Sequence, residues 1–176
     1  MKQKYKFRGE VVTLPHSYID GETEVLTSDE NFFIAQGAVP YFDPEPTLEQ
    51  QIADAIKVKL YEIDMFDASP AVNAFFFNGQ QMWIDKATRV GLVNAATAAE
   101  SLGMSVLTVG IGGLSVTLPP DTLKEMLFKI EMYALDCYNI TLAHQNAVQK
   151  MTDVTLIREF DVSSGYPEKI ELSYNH

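Results

Sequence analysis

Cysteine occurs once in the 176 residues, at Cys137, so no internal disulfide can form and the core alone must hold the fold. Histidine occurs three times, and CxxC, HxH, HExxH and any calcium-loop spacing of acids and glycine are missing. Neither a metal nor another cofactor is therefore expected. Basic residues are scarce too: 13 Lys and Arg stand against 24 Asp and Glu, and the net charge of -11 repels nucleic acid and anionic lipid. No nucleic-acid or membrane partner is expected. The opening "MKQKYKFRGEVV" lacks the apolar stretch of a secretory signal, so no signal peptide is expected.

Charge is absent altogether from Ser101 to Pro120, about the length that crosses a bilayer. Gly103, Gly110, Gly112, Gly113, Pro119 and Pro120 fall inside that run, with five Ser or Thr. A spanning helix tolerates few of these together, so no transmembrane segment is expected.

What is present is 47% hydrophobic residues, enough for one ordinary core and a small appendage in an acidic, soluble chain. The first 46 residues have the texture of a small β-rich region. "KYKFRGEVVTL" alternates like a strand or hairpin, Asp20-Gly21 signals a turn, and "SDENFFIAQG" reads as a short helix capped by Ser28 and stopped by Gly37. Pro40, Pro44 and Pro46 then mark an extended linker. The expected division is therefore 1–46 and 47–176.

From Thr47, with Gln50 at the capping-box position, the spacing of Leu48, Ile52, Ile56, Leu60 and Ile63 predicts an amphipathic helix. Asn78-Gly79 in "NAFFFNGQQMWID" predicts a tight hairpin pairing Phe77 with Gln80, Phe75 with Met82 and Ala74 with Trp83. Asp85 stands where a cap belongs, and "KATRVGLVNAATAAESLG" predicts a helix ending at Gly103. A longer helix is expected from Pro120 or Asp121 to about Met151. Its broad stripe runs through Leu123, Met126, Leu127, Ile130, Tyr133, Ala134, Cys137, Ile140, His144 and Val148. "DVTLIREF" predicts a final short helix and "EKIELSY" a last strand.

The glycines of "TVGIGGLSVTLPPD" invite a phosphate-loop reading, but no basic residue lies between Arg89 and Lys124, and a strand rather than a helix follows them. A Gly112-Gly113 turn instead sets Ile111 opposite Leu114, Val109 opposite Val116 and Leu107 opposite Leu118, all expected to face the core; an Ile111-Gly112 turn keeps the same parity, so the face is fixed and the register is left open. Thr108 pairs with Thr117 on the other face.

Cys137 and His144 share the long helix, but about 10 Å of axial rise separates them, too far for a thiol and its base. Cys137 reads as a small buried hydrophobe and His144 as a structural histidine. Acids such as Asp64, Asp67, Asp136, Glu159 and Asp161 read first as solvated surface, though spacing leaves a carboxylate pair open. Trp83, the lone tryptophan, reads as a nail between the second hairpin strand and the helix after it.

The stretch "FFFNGQQMWIDKATRVGLVNAATAAESLG", the hairpin after it, "LPPDTLKEMLFKIEMYALDCYNITLAHQNAVQKM" and "REFDVSSGYPEKIEL" together resemble a domain of unknown function encoded by bacteriophages and prophages. Such domains occur in tail-fibre, tail-assembly and other tail-associated proteins, notably in phages of gut bacteria. The likeness covers roughly Asn73 to Leu172 and is carried by "WIDKATR", "MYALDCYNITLAH" and "GYPEKI". It implies a structural or assembly role in the virion or the host cytoplasm, with a tail or fibre protein as partner. It brings no catalytic residues.

The expectation is thus an α+β chain: a mainly helical C-terminal domain, two short β-hairpins packed on long helices, and a small β-rich leader. Its expected function is noncatalytic protein-protein binding, with self-association into a homo-oligomer left open. Tyr41, Phe42, Phe75, Phe76, Phe77 and Trp83 are the candidate partner-binding residues. The alternatives are a hydrolase acting on host surface polymer, through paired carboxylates or Cys137, and a small-molecule or peptide binding module using Tyr41, Phe42 and Phe75 to Phe77 as exposed aromatics.

Overall fold

A computed structural model describes residues 2–174; Asn175 and His176, the end of the expected second domain, lie outside the described residues. The chain is α+β and forms two compact units, Met1–Thr47 and Leu48–His176.

In the first unit, β1 (Lys4–Phe7) pairs antiparallel with β2 (Glu10–Thr13) and with β5 (Val39–Tyr41), while β3 (His16–Asp20) and β4 (Thr23–Thr27) form a separate hairpin. Tyr5, Phe7, Tyr18 and Ala38 pack around Phe33 of α1 (Glu30–Ala35). Two local expectations are corrected. The cap of α1 is Asp29, whose carboxylate accepts from the Phe32 amide at 3.1 Å, because the helix starts one residue later than a Ser28 cap requires. The expected linker is also partly a strand: Pro40 lies opposite Tyr5 on an edge, where a missing N–H costs no ladder bond.

The second unit opens with α2 (Leu48–Asp67), whose buried line is Ala55, Lys59 and Ile63. Leu48, expected on its stripe, is exposed at the helix start. β6 (Phe75–Phe77) and β7 (Gln80–Met82) form the Asn78-Gly79 hairpin, with both turn residues at positive φ as a tight hairpin turn requires. Its ladder ends at Phe75 opposite Met82, one pair short of the expected Ala74 and Trp83. α3 (Lys86–Ser101) follows, capped by Asp85; hydrogen bonds from the hydroxyl and amide of Thr88 hold that carboxyl below its usual range.

β8 (Leu107–Ile111) and β9 (Leu114–Leu118) pair with Gly112 and Gly113 as the turn and the Thr108 and Thr117 hydroxyls 2.7 Å apart. Ile111, Val116 and Leu118 are buried, but Leu114 is exposed rather than in the core. The turn abuts Met82 at Gly112, while the space beside Gly113 is open. α4 (Pro120–Gln149) starts with Pro at its first turn and packs against both α3 and α2. Then come α5 (Val154–Glu159), capped by Asp153, and the two-residue β10 (Glu171–Leu172), parallel to β6. The sheet order β10-β6-β7 leaves β10 on an edge. The main core joins Phe75, Phe77, Ile84, Ile111, Leu118 and Leu172 to Leu123, Leu127 and Ile130 of α4. Among the described residues no helix is long and apolar enough to cross a membrane.

Candidate functional site

α4 is apolar on two faces. Leu123, Leu127, Ile130, Tyr133, Cys137, Thr141 and Val148 are buried against the rest of the unit. On the far side Phe128, Met132, Leu135, Tyr138 and Leu142 follow at spacings of four, three, three and four, which keeps them on one face. All five are exposed, from 42% at Leu142 to 59% at Tyr138. Fourteen steps of about 1.5 Å make this strip roughly 21 Å long. An ordinary surface helix has one apolar stripe; α4 has a second, which this chain leaves open.

The side toward α3 is set by Arg89. Its guanidinium is buried, donates from Nη1 to the Ile84 carbonyl at 2.6 Å and from Nε to Glu131 of α4 at 2.7 Å, and lies 5.4 Å from the Trp83 ring. Trp83 is thus half-buried against the base of α3. A second buried cation, Lys59, donates to Glu62 and to the carbonyls of Arg158 and Phe160 at 2.9 and 3.3 Å, tying α2 to the end of α5. The sequence reading missed both. For Lys59 a signal existed, since it stands four residues from Ala55 and from Ile63 on the buried line of α2.

The opposite side of α4 borders a groove of about 710 Å³. Phe128, Met132 and Tyr133 face Pro167, Ile170 and Leu172 across it, and Glu125, Lys129, Asp136, Glu168 and Glu171 complete its lining. Lys129 is paired with Glu125 at 2.8 Å, so the surplus charge of the lining is acidic.

The expected partner-binding aromatics are divided between the two units. Tyr41 and Phe42 belong to the first unit, where they line a shallow groove with Lys2, Gln3, Lys4 and Asp43. Phe42 is 77% exposed and Tyr41 partly covered. Phe75 and Phe77 are only 1% and 2% exposed, which corrects their reading as exposed aromatics: strand alternation turns both into the core and leaves Phe76, partly buried, on the other face.

Most of the chemistry-bearing residues on and around α4 are engaged locally, with His144 Nδ1 the exception. Burial pushes the Cys137 thiol up, the opposite of what an activated nucleophile needs. Tyr133 donates its hydroxyl to the Val72 carbonyl at 2.9 Å. Thr141 lies 2.6 Å from Asp67 and 2.8 Å from the Tyr166 hydroxyl. The His144 ring meets Phe160 and Tyr166 edge-on, and its Nδ1 is buried with no hydrogen-bond partner. Asp64 accepts from Gln145, and Asp161 accepts from the hydroxyl and amide of Ser163, which hold its carboxyl low. Among the described residues no three His, Cys, Asp or Glu come together as a metal site.

Comparison of the chain with protein-family models, with curated proteins and with solved structures finds no match in any of the three.

Proposed function

We propose that this chain is a noncatalytic structural or assembly protein of a bacteriophage or prophage, associated with the tail or tail fibre. It acts by protein-protein contact through the open strip of α4. The observation that carries the binding role is that strip: five large apolar side chains in line on one helix, exposed together, where a free surface ordinarily scatters them singly. The tail setting comes from the resemblance of residues 73–172.

The test is coexpression with the tail and fibre proteins encoded beside it, followed by capture of the tagged chain. The expected result is co-purification of one tail or fibre component, lost in Leu135→Asp and Leu142→Asp. Both side chains are already wet, so the unfolding midpoint read from Trp83 should move by no more than about 0.5 kcal/mol. Failure of every tail component to associate overturns the proposal, and so does capture that both variants leave intact.

A further inference from the structure

The groove of about 710 Å³ lies on the free-edge side of β10, since its lining includes Glu171 and Leu172 but no residue of β6 or β7. The backbone there is in strand geometry. Phe76 and Asn78 donate their amides to the carbonyls of Ile170 and Leu172 at 2.9 Å each. Successive strand residues alternate in direction, so Glu171, between those two, turns its own amide and carbonyl away from β6 toward the groove. An open main-chain edge thus stands beside an apolar floor of Phe128, Met132 and Tyr133.

The rim decides what fits. Glu125, Asp136, Glu168 and Glu171 line it against a single cation, Lys129, which Glu125 already engages. A second copy of this chain brings a net charge of -11 and the same acids to the edge, and is repelled. We infer that the groove takes an extended basic segment of a partner protein, added as a strand beside β10. Its apolar side chains would lie on Phe128 and Met132, and its alternate Lys or Arg residues would reach Glu168, Glu171 and Asp136. The inference rests on the protein-binding role proposed above but uses a different surface from Leu135 and Leu142, so either can fail alone.

The probe is a fluorescein-labelled peptide alternating valine and lysine over about eight residues, a little longer than the roughly 20 Å that residues 167–172 span at about 3.3 Å each. Binding is followed by anisotropy, and its place by amide shifts of the 15N-labelled full chain. Shifts are expected at 168–172 and along 125–136, with weakening from about 0.05 to about 0.5 M salt. Glu171→Pro removes the outward amide along with the carboxylate, without touching the bonds to β6, and should weaken binding at least about tenfold more than Glu171→Gln, which removes the charge alone, a difference equivalent to about 1.4 kcal/mol. Glu168→Gln, which removes only charge, should weaken it less. The same peptide N-methylated along its backbone should bind at least about tenfold more weakly still. Three results overturn the inference: no binding by the valine-lysine peptide, binding by Glu171→Pro as strong as by Glu171→Gln or undiminished binding by the N-methylated peptide, or shifts scattered over acids away from the groove. None of these bears on capture of a tail component through Leu135 and Leu142.

Discussion

Replacing Arg89 by alanine tests how α3 is held to α4. The side chain is 7% exposed, and truncating it strands the Ile84 carbonyl, itself on a buried residue, without its 2.6 Å donor. An unsatisfied buried acceptor costs about 1–3 kcal/mol. The bond to Glu131 adds less, about 0.5–1 kcal/mol, because that carboxylate is 46% exposed and rehydrates once released. Contact with the Trp83 ring contributes about 0.5–1 kcal/mol. With the buried methylenes of the stem at about 0.8 kcal/mol apiece, Arg89→Ala should cost about 4 kcal/mol. Arg89→Met keeps the stem and should cost about 2 kcal/mol, and Glu131→Gln no more than about 1 kcal/mol. The assay is urea unfolding followed by Trp83 fluorescence, which reports only the unit containing α3 and α4. With a slope of about 2 kcal/mol per molar, the alanine variant should unfold about 2 M earlier at unchanged slope. The variants alter the starting fluorescence of Trp83, so the midpoint and not the amplitude is read. A loss below about 1 kcal/mol for Arg89→Ala, or a Glu131→Gln loss as large, refutes the assignment of the main anchor to the Ile84 carbonyl.

At the β8-β9 turn, Gly113→Ala should cost about 1–2 kcal/mol for its φ of +86° alone. Gly112→Ala should cost more, because the added Cβ meets Cβ and Sδ of Met82 at 3.2 Å; equal midpoints for the two variants would show that Met82 yields. The Cys137 thiol should react with a disulfide reagent at pH 8 at least about 100-fold faster in denaturant than in the folded chain. Its raised pKa stabilises the fold below the ordinary value of 9.0 and the contribution is lost as pH climbs through the raised value; Cys137→Ala should flatten part of the alkaline stability loss, and an unchanged pH profile argues against it. Lys59→Met should cost about 2–4 kcal/mol and hasten proteolysis after α5, since the Arg158 and Phe160 carbonyls lose their donor; a more stable variant would mean that burying the ammonium outweighs those bonds.

What was legible before the structure was whatever has a local cause. Asn78-Gly79 and the glycines at 110–113 announce tight turns, and alternation then sets which side chains share a face, but the choice of Gly112-Gly113 over Ile111-Gly112, and with it Thr108 against Thr117, is settled by the structure. Asp85 and Gly103 bracket α3 because capping and a positive φ are single-residue requirements. The pairing of β10 with β6 has no such signature: it joins residues nearly a hundred positions apart, over two residues, and it makes the edge of the groove. Arg89 and Lys59 were hidden by their type, since a charged residue reads as surface until its carbonyl partners are known. The run Phe75 to Phe77 misled for the opposite reason, because three adjacent aromatics look like a patch although a strand sends alternate ones to opposite faces.

The breadth of the α4 pattern is where sequence and function meet. A stripe of ten residues was read as one buried face, and Phe128, Met132, Leu135, Tyr138 and Leu142 lie outside it on a second. Apolar periodicity says only that a face is to be covered, by this chain or by another. The flanking charges carry the further distinction: Glu131 is engaged by Arg89 toward α3, whereas Asp136, Glu168 and Glu171 have only Lys129 beside them toward β10. Phe128 and Met132 belong both to the strip and to the groove floor. A partner lying along the whole strip therefore covers the outer wall of the groove, and a strand seated beside β10 draws on the same two side chains. Leu135, Tyr138 and Leu142 lie outside the groove lining, so a partner held by them and a strand beside β10 would meet only at Phe128 and Met132.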